Sequence, residues 1–400
     1  MCIPQKRNVI MMTKTTLKIL FVTGLLFTMM PSMAQTPETE LNKSGKNIIY
    51  GKLNIEEADV KGMYEGDIFK RKPWGKGVTI FENGDKYEGE YYNGERTGKG
   101  KYTFSDGSYY EGEWMNNLQH GKGVYVFQNG NKYDGLWYKD YQEGTGVMTY
   151  YNGDTYAGEW KKDVRTGNGV YTYSNGASYK GAWLNDMKHG YGIFDWGDGS
   201  MFEGMWANNM INGKGTFKYA TGDVYSGEWK DDKQNGKGIY TFANGDKYDG
   251  DYVEGERTGV GIFTMANGDR YSGEFLSGEK SGRGIFTFAN GDVYDGNWKN
   301  DKAHGHCKVR SHNGDILEGN FKEGKLNGTV TVHYQDGGIL RDVYADGKKH
   351  GVALEIDKDG NQFEGNYING VRDGAFVEKD RNGKVTAKGT YTNGVRNEDK

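Results

Sequence analysis

A phrase of 23 residues recurs from Tyr64 to Phe363 without a change of register. It reads aromatic-x-Gly-x-aromatic, a polar stretch, Gly-x-Gly, an aromatic pair and then Asn-Gly or Asp-Gly. The opening aromatic falls at Tyr64, Tyr87, Tyr110, Tyr133, Tyr156, Tyr179, Phe202, Tyr225, Tyr248, Tyr271, Tyr294 and Phe363, with Leu317 and Leu340 in the same slot. A fixed period of this size means one supersecondary unit copied and stacked. Fourteen such units occupy 322 of the 400 residues, which leaves no room for a catalytic domain of ordinary size.

The unit reads as a β-hairpin. In residues 98–114, alternation puts Gly98, Gly100, Tyr102 and Phe104 on one strand face, and Tyr110, Gly112 and Trp114 on the same face of the next strand. Ser105-Asp106-Gly107 joins them as a three-residue loop with glycine in the left-handed region. That loop pairs Phe104 with Ser108, Tyr102 with Tyr110, Gly100 with Gly112 and Gly98 with Trp114. A two-residue loop would send the two aromatic sets to opposite faces. On this reading the glycines are floor for large rings, since an aromatic across from a glycine restores the packing that glycine forfeits. The other face carries Glu111 and Glu113 against Lys122, Val124 and Val126, and Glu228 against Lys237, Ile239 and Thr241, as cross-strand stabilising sets. No proline follows Pro73, as a long run of paired strands requires. The predicted architecture is all-β: an elongated, twisted, single-layer antiparallel meander of stacked hairpins. Some ~28 strands at roughly 4.8 Å each would extend ~130 Å before twist shortens it.

The phrase resembles the MORN repeat (membrane occupation and recognition nexus). Tyr156-Ala-Gly158-Glu-Trp160, Gly167-Asn-Gly169 and Asn175-Gly176 make one full copy. The resemblance is strong over residues 64–320 and weakens from Cys307, which replaces a glycine, as do Val330, Asp342 and Ala353. Residues 321–400 are similar to the shorter bacterial variant of the repeat and end in a cap. Residues 51–320 form the main array, with an imperfect hairpin at Gly51–Asp59. The resemblance implies a scaffold: family members that are enzymes carry a separate catalytic domain, so a lipid-kinase activity is not carried over from the repeats alone.

The N-terminus has the layout of an export signal. Lys14 and Lys18 precede the apolar run Ile19–Met30, and Ser32-Met33-Ala34 supplies small residues for cleavage after Ala34. Met11 or Met12 is an equally good start. Residues 1–34 are thus expected to be a signal peptide and 35–50 a flexible leader, with the mature protein periplasmic, outer-envelope associated or secreted, and without a transmembrane segment. Cleavage removes four basic and no acidic residues from totals of 51 and 55, leaving a net charge of −8. An acidic chain with no basic stripe is not a nucleic-acid binder. Cys307 is the single cysteine left, so no internal disulfide forms.

No catalytic, cofactor-binding or metal site stands out from the repeat. The one local group of metal-type ligands, His304, His306, Cys307 and His312, is split by strand parity and by roughly 20 Å of strand between His306 and His312, too far for tetrahedral zinc. The candidate binding surface is the aromatic face: Tyr110, Trp114, Tyr133, Trp137, Tyr156, Trp160, Tyr179, Trp183, Trp206, Tyr225 and Trp229, flanked by Tyr102, Tyr125, Tyr171 and Tyr240. These rings are expected to pack chiefly on one another. A single layer should still leave part of them exposed, and exposed apolar patches mark interaction surfaces. The partner expected is a protein or a second copy of the chain; a phospholipid surface and a glycan stacked on the tryptophans are the other classes considered.

Overall fold

The computed structural model describes residues 48–399, so the expected signal peptide and nearly all of the leader lie outside the described residues. From Ile49 to Glu398 the chain forms one open antiparallel sheet of 32 strands hydrogen-bonded in sequence order, except that Val371–Arg372 and Gly374–Lys379 both pair with Gln362–Ile368, with no helix among the described residues. The long strands alternate between nine-residue members such as Glu95–Thr103 and seven-residue members such as Tyr109–Met115.

The hairpin loop is the one the sequence predicts. Gly98 pairs with Trp114, Gly100 with Gly112 and Tyr102 with Tyr110. Phe104 N–H donates to the Ser108 carbonyl at 2.9 Å, and Gly107, at φ +87°, closes the turn. At the opposite edge of the sheet the polar stretch makes a second, tighter turn. Trp114 pairs with Gln119 and Met115 with Leu118, which leaves a two-residue loop. Asn116 and Asn117 take φ values of 49° and 66° there, the left-handed pair of a type I′ turn.

The polar face differs from the expected pairing. Glu111 does lie opposite Val124 and Tyr109 opposite Val126, but Glu113 faces His120, because Gly121 and Lys122 bulge out of register between them. Lys122 pairs instead with Leu136 of the following strand. The ion pairs form across the three-residue-loop hairpin, as in Lys101–Glu111 at 3.3 Å and Lys237–Asp251 at 2.5 Å. The bulge also revises the role of the first glycine in each Gly-x-Gly. Gly121 has φ +58°, so it is present for backbone conformation more than for ring packing. The glutamate immediately after the strand glycine closes this bulge. Glu159 accepts from Asn168 N–H at 2.8 Å, and Glu274 from Arg283 N–H at 3.1 Å.

Two ladders of side-chain to backbone hydrogen bonds tie successive units together, one at each sheet edge. At the three-residue loops, the aspartate after Asn-Gly reaches the next unit. Asp154 accepts from Ser174 N–H and from the Tyr171 hydroxyl, both at 2.8 Å. Asp223 does the same with Ala243 and Tyr240. At the tight turns, Asp140 accepts from Gln119 N–H at 2.7 Å, while its own N–H donates back to the Gln119 carbonyl.

Candidate functional site: the aromatic face

The ring that opens each unit lies flat over the two glycines of its hairpin. A methyl group at Gly169 would sit 2.5 Å from Cε2 of Tyr156, so the ring occupies the space that any side chain would need. The tyrosine hydroxyl then finds main-chain acceptors. Tyr110 donates toward the Glu113 carbonyl at 2.9 Å and that of His120 at 3.1 Å. Each tryptophan stands on edge between two such rings. Trp137 lies 5.2 Å from both Tyr110 and Tyr133 at near-perpendicular angles. Its indole N–H donates to the Gly123 carbonyl at 3.1 Å. This alternation is unbroken from Tyr64 to Phe321, with Tyr91, Tyr252 and Phe275 taking tryptophan places. Edge-to-face pairs contribute about 0.5–1.5 kcal/mol each beyond their area.

The structure brings all eleven predicted residues together, and it places them inside. The tyrosines among them are 0% exposed and the tryptophans 4–7%. The expectation that a single layer leaves these rings partly open is therefore corrected. Burial pushes the tyrosine hydroxyls well above their usual range, as at Tyr110 and Tyr156.

Part of that burial comes from a device the sequence reading missed. Across from most ladder tryptophans stands a long side chain, and the basic ones fold back over the rings; Ile211, across from Trp206, and Ala303, across from Trp298, are the exceptions. Arg165 faces Trp160 and stacks its guanidinium over Tyr156, Tyr171 and Trp183 at 4.5–5.6 Å. Arg96, Lys188, Arg257 and Lys280 hold the same position in their units. Gln119, Gln142 and Gln234 fill it without charge. Lys188, covered by Phe194 and Trp206, has its ammonium pushed down to about 8 by burial, with Asp232 acting in the opposite sense. The available signal was the basic residue two places before the first glycine of Ser/Thr/His-Gly-x-Gly, as in Arg165-Thr-Gly and Lys188-His-Gly.

Exposed ring surface does exist, on the same face but nearer the three-residue loops. Tyr171, Tyr173, Trp196, Phe217, Tyr219, Tyr240 and Phe242 are half-buried. With Phe194 they form a zigzag from Tyr150 to Phe263 with successive centroids 4.3–5.9 Å apart. Among the histidine and cysteine positions, Cys307 is buried against Tyr294 and its thiol is raised to about 11 by burial. His306 is exposed, and His312 Nδ1 lies 3.1 Å from Asp292. No group of three or more His, Cys, Asp or Glu able to hold a metal is found among the described residues.

A scan against family models matches the MORN repeat in eleven consecutive units spanning residues 64–316. The chain belongs to the MORN-repeat family. The MORN match stops near where glycines begin to be replaced, whereas the hairpin architecture continues to Glu398. Repeats of this family are generally non-catalytic and point to a repeat scaffold, typically for protein or membrane binding. A search of curated proteins finds no match. Among solved structures, the SAS-4 TCP domain of Drosophila melanogaster, in complex with a proline-rich motif of Ana2, is 16% identical. That alignment covers 43% of this chain and 86% of that one, at a TM-score of 0.25. A catalytically inactive virginiamycin B lyase from Staphylococcus aureus is 10% identical over 73% of this chain and 98% of that one, TM-score 0.14. A streptogramin B lyase is 14% identical over 80% and 94%, TM-score 0.13. These scores carry no argument about architecture or activity.

Proposed function

We propose that this MORN array is a non-enzymatic scaffold, exported to the cell envelope, that binds a protein partner along its aromatic face. The observation that supports it is the continuous strip of rings from Tyr150 to Phe263, half-buried except at Phe194. Rings that share a face but are only partly covered offer apolar area and hydroxyls together, the composition favoured at protein interfaces. The buried ladder beneath is the rigid support that holds this strip in place. Export is proposed from Lys14, Lys18 and the apolar run that follows.

The test is crosslinking and affinity purification of the mature chain from its native envelope. A variant with Tyr173, Tyr219 and Phe242 changed to serine keeps the ladder intact. Loss of partner capture with an unchanged melting curve is the expected result, and equal capture by the variant would refute this reading. Flotation with anionic liposomes in parallel distinguishes a lipid surface from a protein partner.

A further inference from the structure

The two-residue turns carry a second apolar surface, on the face opposite the rings. The residues that flank each turn pair across it and point to that face. In five successive units they are Met115 with Leu118, Tyr138 with Tyr141, Lys161 with Val164, Leu184 with Met187, and Ala207 with Met210. Met115, Tyr138, Tyr141, Leu184 and Met210 are 37–50% exposed. Leu136, Tyr191 and Met205, also exposed, widen the strip toward the middle of the sheet. The same turn positions hold Glu95 in the unit before and Lys230 with Lys233 in the unit after. At about 4.8 Å per strand, the strands from Tyr109–Met115 to Met210–Lys218 make the strip roughly 45 Å long. A face that elsewhere carries ion pairs such as Lys101–Glu111 thus has one long apolar stretch, the mark of an interaction surface.

Beside the turns, two charged side chains interrupt the strip, at its centre. Lys161 ends one strand, and Glu143 stands across from it on the preceding strand, one place beyond the Trp160–Gly144 pair. Glu143 accepts from Lys162 N–H at 3.0 Å, and Lys161 is exposed. The other charges nearby are engaged within the chain. Asp140, Asp163 and Asp186 accept from main-chain N–H groups of the preceding unit. Glu159 closes its bulge, and Lys139 reaches over Tyr138 at 5.3 Å while leaving that ring half exposed.

We propose that this strip pairs with the same strip of a second copy of the chain, about a two-fold axis at Lys161. A two-fold contact is self-complementary: if one residue meets another, the reverse contact also forms. An axis at Lys161 reverses the order of the units. Tyr138 and Tyr141 of each copy then meet Leu184 and Met187 of the other, rings against a thioether, which is a favourable contact. Met115 and Leu118 meet Ala207 and Met210. Lys161 of each copy meets Glu143 of the other, so the central charges match rather than repel. At the ends Glu95 meets Lys230, Lys233 being engaged by Glu254 at 2.5 Å. A lipid surface or an unrelated protein would account for the apolar residues, but not for a charge order that matches itself on reversal. Twisted sheets pack face to face with their strands about 30° apart, so contact is closest at the axis. The ring face lies on the other side of the sheet and stays free in both copies. The proposal therefore goes beyond partner binding and does not depend on it.

The experiment is sedimentation velocity of the mature chain over a concentration series, with liposome flotation in parallel. A concentration-dependent dimer is expected. Leu184→Asp, at an exposed position, keeps the parent melting curve and weakens dimerisation at least tenfold. Lys161→Glu and Glu143→Lys each weaken it several-fold, because like charges then meet across the axis. An equimolar mixture of these two variants restores it, since each then faces its opposite. A chain that stays monomeric, a dimer indifferent to Leu184→Asp, or charge variants that mixing does not rescue overturns the proposal. So does a monomeric chain whose flotation is abolished by Leu184→Asp, which would give the strip to a lipid surface. The readout needs no partner, so its failure is distinct from a failure of the ring face to capture one.

Discussion

Glycine serves two different physical purposes within one unit, and substitution separates them. Gly169 has an ordinary extended backbone, but a methyl there lands on the Tyr156 ring. Gly176 has nothing within 4 Å of where a methyl would go, but its φ is +91°. Gly176→Ala is expected to cost about 1–2 kcal/mol, the penalty for a left-handed L-residue. Gly169→Ala forces a buried, hydrogen-bonded ring out of place and is expected to cost more, about 3 kcal/mol or above, within the range for overpacked cores. Urea unfolding of both variants checks the order. Equal losses would mean that the ring yields easily and that the floor of the ladder is not close-packed.

At the scale of the element, the hairpin was legible and its joints were not. The three-residue loop followed from a single demand, that both aromatic sets share a face, and the pairing of Tyr102 with Tyr110 bears it out. The bulge at Gly121 and Lys122 escaped because strict alternation carries no signal for two extra residues; the clue was the glycine at a position where no ring needed room. The burial of Trp183 and Trp206 escaped because the lid over each is a cation, a residue type that pattern reading assigns to solvent although its stem packs well on rings. The loop ladder is a third such joint, and it yields a prediction. Asp154 is buried, and burial works to raise its carboxyl; hydrogen bonds from Ser174, Tyr171 and Asn152 outweigh that and hold it below its usual range. Asp154→Ala strands those donors and is expected to cost about 1–3 kcal/mol at neutral pH. A depressed folded-state pKa stabilises above the unfolded value of 3.8, and this contribution fades as pH falls through the folded value. The gap between parent and variant in urea should therefore narrow below about pH 4; a gap that stays constant to lower pH would assign the loss to packing instead.

For the molecule as a whole, the ladder makes stability a property of many identical buried phenols. Tyr64, Tyr87, Tyr110, Tyr133, Tyr156, Tyr179, Tyr225, Tyr248 and Tyr271 are all 0% exposed, and burial raises the pKa of each. Their stabilising contribution is complete below pH 10, where unfolded phenols keep their protons, and is lost as pH rises above it. Each tyrosine then removes about 1.4 kcal/mol per pH unit. The array is expected to unfold steeply not far above pH 10, with tyrosinate absorbance and loss of β circular dichroism rising together; tyrosinate forming gradually with the sheet intact would contradict it. The ladder also sets the limits of cooperativity. Its core runs to Cys307, and a second cluster of Ala353, Phe363, Tyr367, Phe376 and Tyr391 stands apart from it. Between them Leu317 and Leu340 replace the opening ring, Val330 replaces a glycine as Ala353 does at the start of the second cluster, and buried Asp342 pairs with Lys349 at 2.5 Å. A ring ladder passes packing energy from unit to unit only where each ring touches the next, because a repeat contacts its neighbours alone. Hydrogen exchange is expected to show residues 348–398 opening at lower free energy than residues 64–300, although one sheet connects them. Restoring the ring and its floor in both units, with Leu317→Tyr, Val330→Gly, Leu340→Tyr, Asp342→Gly and Ala353→Gly together, should merge the two openings into one. If the C-terminal strands still open separately in that variant, backbone pairing rather than the ladder governs cooperativity along the sheet.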